Sequence, residues 1–209
     1  MLLVGTKQGL LDLDTGDTLV DGHTVTDLAP GPRRWHALLD RRVVIRLDEG
    51  EVMTVGELPA DDGQSLAVLA DGTVVVGRTG ARLAIVGAKV EEVRAFEQVP
   101  DRDHWKNPAN ATPDTRSMAN SGDDLWVNVH VGGLWHSGDR GESWHEVIEP
   151  GADIHEVRAE NGAVAVAGGS WIRLERGRRD IVVVEHRGTP RQLSAGGVHR
   201  KRDRLRFGV

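Results

Sequence analysis

The chain has 209 residues, 39% apolar and 28% charged, with a formal net charge of −6; that composition supports a packed core and argues against wholesale disorder. It contains no Cys and no Tyr, which excludes disulfides, thiolate metal sites and any thiol or phenolate nucleophile. No apolar run approaches the ~18 residues that span a bilayer, and the opening MLLVGTKQGLLDLD has neither a basic n-region nor a cleavage-type h-region, so the expectation is a cytoplasmic chain with no membrane partner.

Taken in chain order, the segments read as short β-branched strands separated by Gly, Asp and Asn turns, with little helical periodicity. One unit recurs, an apolar strand, a turn and a second apolar strand. It is found as VGTKQGLLDL (4–13), ALLDRRVVIRL (37–47), VVVGRTGARLAIV (74–86), WVNVHVGGLWHS (126–137) and VAVAGGSWIRL (164–174). Turn centres fall near Gly9, Arg41, Gly80, Gly133 and Gly169, at spacings of 32, 39, 53 and 36 residues. The long spacing holds a polar, Pro/Asn-rich stretch at 100–114, read as a loop insertion. Segments such as EVMTVGEL, KVEEVRAFEQV and SWHEVIEP supply a further outer strand, and TVTDLAPG, SLAVLADG and IHEVRAENG look like first strands ending in a turn. Three or four antiparallel strands per period of roughly 40 residues predict an all-β fold, an incomplete β-propeller of about four to five blades. A sheet this small buries both faces only by stacking on its neighbours. A β-sandwich with coincidental spacing is the alternative.

Residues 137–144 read Ser137-Gly138-Asp139-Arg140-Gly141-Glu142-Ser143-Trp144 between two apolar strands. This resembles the Asp-box, or BNR, repeat of sialidase-like propellers, S-x-D-x-G-x-T/S-W. In physical terms it is a hairpin turn. The Asp139 carboxylate accepts turn N–H groups, Gly141 supplies a positive φ and Trp144 packs over the turn. Ser137, Asp139, Gly141, Ser143 and Trp144 are thus structural. With PDTRSMA (113–119), LWVNVHVGGLWHSGDRGESW (125–144) and ADIHEV (152–157), the resemblance extends to bacterial BNR-repeat, glycosyl-hydrolase-like and WD40/YVTN-like proteins over roughly residues 1–168. It implies the fold far more than an activity. Sialidases share a tyrosine nucleophile, and this chain has no Tyr. A generic glycosidase needs two suitably spaced carboxyls, and 32 acids leave that pair unassigned.

The blades are expected to occupy 1–169. Residues 170–209 carry eleven Lys and Arg against four acids, a net +7, which leaves −13 on the rest. Beyond GGSWIRL no Asp-box follows. A one-base shift of permissible, mostly GC-rich codons through 175–183 yields S-A-D-G-G-T-S-W, whose first Ser falls 38 residues after Ser137, one blade period. The segment is therefore read as frameshifted or poorly ordered. A basic arm for nucleic acid and a divergent last blade are the alternatives, and nucleic acid is not the favoured partner.

Candidate ligand-binding residues are Arg116, Asn128, His130 and His155. Alternation along WVNVHV puts Asn128 and His130 on one strand face, and Arg116 and His155 begin inner strands of neighbouring blades. Around a central channel such a set suits a carboxylate or sugar, since Arg recognises carboxylates bidentately. Inter-blade hydrogen bonding is the alternative role. Trp105, with His104, Asn107 and Asp114 on the 100–114 loop, is expected either to form a sugar-stacking platform or to pack on the blade. No HxH or HExxH spacing supports a metal, and phosphate-loop and dinucleotide fingerprints and a G-x-S-x-G elbow are absent. No cofactor is expected. The functional expectation is a channel that binds a small polar, anionic or carbohydrate ligand, with catalysis unassigned. The alternative is a non-enzymatic scaffold for a protein partner.

Overall fold

A strand such as VVVGR, apolar at successive positions, needs cover on both faces, and the architecture supplies it. In the computed structural model, residues 2–48, 51–105, 112–160 and 162–169 are described, together with the backbone of 171–176 and 180–185. The first sheet holds β1 (Leu3–Gly5), β2 (Gly9–Asp12) and β3 (Thr18–Asp21). The second holds β4 (Val25–Pro30), β5 (Trp35–Leu39), β6 (Val43–Asp48) and β7 (Glu51–Glu57). The third holds β8 (Gly63–Val68), β9 (Val74–Arg78), β10 (Arg82–Val86) and β11 (Val90–Glu92). The fourth holds β12 (Thr115–Ser121), β13 (Asp124–Val129), β14 (Gly133–Ser137) and β15 (His145–Ile148). The fifth holds β16 (Ile154–Glu160), β17 (Ala163–Gly168), β18 (Trp171–Arg176) and β19 (Asp180–Glu185). Every pairing is antiparallel between chain neighbours. A single helical turn, α1 (Arg94–Glu97), and a 3-10 turn at Arg102–His104 precede the fourth sheet.

Consecutive sheets meet through their first strands, β4 against β8, β8 against β12 and β12 against β16. This is an incomplete β-propeller, and the side chains show why a sandwich does not form. Leu66 and Val68 of β8 pack with Leu38, Val44 and Leu58 of the second sheet and its exit. Ala67 and Leu69, one residue out of phase, pack with Met118, Val127 and Trp135 of the fourth. Period-two alternation thus feeds two different cores from one strand. Two further cores lie between the first and second sheets around Leu10, Leu39 and Ile45, and between the fourth and fifth around Trp126, Ile154 and Val157.

The fifth sheet continues through β18 and β19 to Glu185. The remainder of the basic segment, 186–209, lies outside the described residues, as does Asn107.

Candidate functional site

The four sheets that carry a full set of strands share one irregularity. Pairing between the first and second strands slips once near the start, between Val25 and Asp27, Gly63 and Ser65, Thr115 and Ser117, and Ile154 and Glu156. The extra residues are Thr26, Gln64, Arg116 and His155. A bulge leaves its extra residue out of the pleat and re-aims it, here near the start of the first strand of each sheet. The turn joining second and third strands lies at the same end. It bonds to the next sheet's first strand or its approach: Thr6 O accepts from Val25 N at 2.8 Å, Arg41 O from Gly63 N at 2.8 Å, and Val131 O from Gly151 N at 3.1 Å. Gly80 N donates to Pro113 O at 2.8 Å. The four bulged residues therefore lie at the same end of their sheets, beside the turns joining second and third strands.

Their partners differ. Thr26 Oγ1 accepts from Arg41 N at 2.9 Å. Gln64 Nε2 donates to Thr79 Oγ1 at 2.8 Å, which also accepts from Arg41 Nη2 at 3.0 Å. His155 Nε2 lies 2.9 Å from Asp153 Oδ1, with both side chains exposed. Arg116 is exposed and makes no ion pair among the described residues. At the same end of this sheet the His130 amide donates to Asp114 O at 3.0 Å.

The structure thus brings Arg116, His130 and His155 to one end, and separates two residues from them. Asn128 is fully buried. Its Nδ2 donates to Ser117 Oγ at 3.1 Å and across to Ile154 O of the fifth sheet at 3.3 Å, the inter-sheet bonding foreseen as the alternative. Trp105 is 4% exposed, so it forms no open platform. Its ring packs 5.6 Å from Trp135 and 6.1 Å from Phe96, and the Arg102 guanidinium lies 4.8 Å over it. Arg102 in turn donates to the carbonyls of Phe96, Gly80 and Ala81 at 3.0 to 3.1 Å, which pins this part of the insertion to the third sheet. Thr26 and Gln64 were not singled out from sequence. Aligning the first strands as T-DLA, Q-SLA, R-SMA and H-EVR exposes the shared position.

In the second, third and fourth sheets the residue after the bulge reaches toward the next sheet. Leu66 N donates to Asp27 Oδ2 at 2.8 Å, Ser65 Oγ donates to Thr115 O at 2.8 Å, and Val157 N donates to Ser117 Oγ at 3.1 Å. Burial pushes the Asp27 carboxyl up to about 6 against the bonds it accepts from Leu66 N and Leu28 N, and Glu156 and Arg158 of the fifth sheet both act on it.

At the outer end of the fourth sheet, the loop from Ser137 to Trp144 closes on one carboxylate. Asp139 accepts from Ser143 N at 2.8 Å, Ser143 Oγ at 2.5 Å and Ser137 Oγ at 2.7 Å. The Ser143 bonds lead in holding its pKa down to about 2. Gly141 has φ +98 and donates to Ser137 Oγ at 2.7 Å. Trp144 Nε1 donates to Gly141 O at 3.1 Å, and its ring lies 4.7 Å from Phe96 on α1. These bonds are spent on the loop itself.

A separate cleft of about 570 Å³ opens at the opposite end of the first two sheets, lined by Asp12, Asp17, Arg33, Arg34 and Trp35. Among the described residues no three His, Asp or Glu side chains are placed to hold a metal ion, and no helix is long and apolar enough to cross a membrane.

No protein-family model matches the sequence, and no curated protein does. Solved structures match the fold. The extracellular domain of a putative hybrid two-component system from Bacteroides thetaiotaomicron has a TM-score of 0.64 at 14% identity, over 88% of this chain and 26% of its own. A GH74 xyloglucanase from Xanthomonas campestris gives 0.56 at 16% identity, over 82% and 34%. PorZ, a bacterial surface component of the type-IX secretion system of Porphyromonas gingivalis, gives 0.55 at 14%, over 89% and 25%. The chain spans a quarter to a third of the length of these proteins.

Proposed function

We propose that the chain is an Asp-box β-propeller, glycosyl-hydrolase-like in build, which binds a small anionic or sugar-type ligand at the mouth ringed by Thr26, Gln64, Arg116 and His155. The carrying observation is the repeated bulge, which in four successive sheets presents a polar side chain at one end of the axis. Arg116 supplies the exposed cation, His155 a ring oriented by Asp153, and Gln64 an amide. The Asp-box reading is supported by the Ser137–Asp139–Ser143 bonds and by Trp144 closing the loop. Catalysis stays unassigned in this reading: Asp62 at this end is clamped by Arg78 and Arg82, and Asp153 holds His155.

Calorimetric titration of glucuronate against glucose tests it. A hydrogen bond to a charged group is worth about 1.5–3 kcal/mol. Arg116→Ala should therefore weaken glucuronate binding about tenfold or more at an unchanged melting temperature, with Arg116→Lys intermediate and glucose less affected. Absence of binding by either sugar, or binding indifferent to Arg116→Ala, overturns the proposal.

A further inference from the structure

The loop closed on Asp139 fixes the register of the two strands it joins, and two histidines stand at its base. His136 precedes Ser137 and His145 follows Trp144, and the two are direct partners across β14 and β15. Side chains opposite one another on an antiparallel pair share a face, with Cβ atoms about 4.5–5.5 Å apart. His136 Nδ1 accordingly lies 3.1 Å from His145 Nε2. On its other side His136 is partnered by Trp126 of β13, whose ring lies 4.7 Å away and is tilted by 31°. Asp124, two residues earlier on β13 and so on the same face, places Oδ1 2.6 Å from His136 Nε2.

These contacts fix the tautomer of His136. An ionised carboxylate only accepts, so His136 Nε2 carries the proton and Nδ1 is the lone-pair nitrogen of the neutral ring. His145 Nε2 donates to it. The His136 side chain is 16% exposed, held between the Trp126 ring and the Asp124 carboxylate, while His145 is exposed. A carboxylate behind one ring nitrogen is the arrangement in which histidine ligates metal ions through the other: the outer partner sets tautomer and ring orientation and raises the basicity of the ligating nitrogen. The separation of the two nitrogens fits as well. Nitrogens bound at ~2.0–2.1 Å to one ion, at angles from square to tetrahedral, lie about 2.8–3.4 Å apart, and this pair stands at 3.1 Å.

We propose that His136 and His145 chelate one divalent transition-metal ion of the class that favours imidazole, through His136 Nδ1 and His145 Nε2, with Asp124 as the outer partner of His136. On binding, the proton on His145 Nε2 moves to Nδ1 of the same ring, and the ion replaces the hydrogen bond between the two rings. Imidazole ligands suit Zn²⁺, Cu²⁺ and Ni²⁺. Among the described residues no third His, Asp or Glu joins the pair. The other coordination positions therefore go to water or an added anion, which makes this an open site rather than a closed four-ligand one. The two ligands are nine residues apart in sequence, outside HxH and HExxH spacing, and only the hairpin register makes them neighbours. They lie on the third and fourth strands of their sheet, whereas Arg116 and His155 lie on first strands, so the metal site and the proposed ligand mouth are tested separately.

The test titrates the full chain with zinc chloride, followed by calorimetry and by ¹H–¹⁵N spectra of the imidazole rings. One equivalent should saturate the site, with His136 coordinated through Nδ1 and His145 through Nε2, and with the His136 Nε2 proton retained against Asp124. Asp124→Ala leaves both ligands in place and should weaken zinc binding about tenfold to a hundredfold, the loss that follows removal of an outer partner. His145→Ala removes an exposed ligand and should weaken it by about a hundredfold or more, at an unchanged melting temperature. His23→Ala removes a histidine that is also paired with a carboxylate, Asp40, and should leave zinc affinity unchanged. No binding, weak binding of several equivalents spread over the nine histidines, coordination through other ring nitrogens, affinity indifferent to His145→Ala or Asp124→Ala, or an equal loss in His23→Ala overturns the proposal.

Discussion

Val131 has φ +58, the left-handed region that a β-branched residue adopts only under strain. It lies in the turn after His130, at the end of the sheet where Arg116 stands. Asn tolerates this conformation, so Val131→Asn should stabilise the chain by about 1 kcal/mol in urea denaturation. An equal destabilisation would show that packing of the Val side chain outweighs backbone strain. The same corner explains one misreading. Alternation along WVNVHV grouped Asn128 with His130, but β13 ends at Val129, and His130 already belongs to the turn. Within a propeller strand, moreover, both faces point at neighbouring sheets, so alternation alone cannot direct a side chain to the axis. Bulges do that, and an inserted residue is what a period-two pattern conceals. Trp105 failed as a platform for a different reason. Its polar neighbours indicated an open loop, whereas Arg102, two carbonyls of the third-sheet turn and the Phe96–Trp135 surface draw it into the core.

At the level of strands, the inner edge of each sheet is where unpaired backbone groups accumulate, a liability that folds must blunt. Here side chains from the preceding sheet do so, through Asp27 and Ser117. Asp27 makes this junction pH-dependent. Its carboxyl, lifted by burial to about 6 in the folded chain, has an unfolded value near 3.9. A raised folded value means the contribution is full below about pH 4 and is lost as pH rises through 6. Asp27→Asn keeps an acceptor for Leu66 N. The variant should therefore gain melting temperature relative to the parent between pH 4.5 and 7.5, and its profile over that window should be flatter. Parallel profiles would contradict the assignment. These strands were legible in the sequence because β-branched runs, turn glycines and the recurring first-strand pattern agree. The helical turn in KVEEVRAFEQV was not. A segment of four residues is too short to show a helical period, and Phe96 is held there by Trp144 and Trp105.

For the whole molecule, five sheets lean on one another and share four intervening cores, while the outer face of the first sheet keeps Leu2 and Leu13 exposed. The repeat in the sequence already contained the frame. VGTKQGLLDL aligned with the second and third strands of later units, and the structure places β1 and β2 there. Composition and periodicity did not show that, among the described residues, the first sheet begins at its second strand, because that follows only from the close approach of Gly5 to Val25 and the bond from Val25 N to Thr6 O. The central claim is that neighbouring sheets are joined at their innermost strands by side chains capping inner-edge amides. Residue-resolved amide exchange at Leu66 and Val157 tests it most directly. The account predicts slow exchange at both, with Asp27→Ala accelerating Leu66 but not Val157, and Ser117→Ala accelerating Val157 but not Leu66. Fast exchange at both in the parent chain, or rates indifferent to the two substitutions, would contradict it.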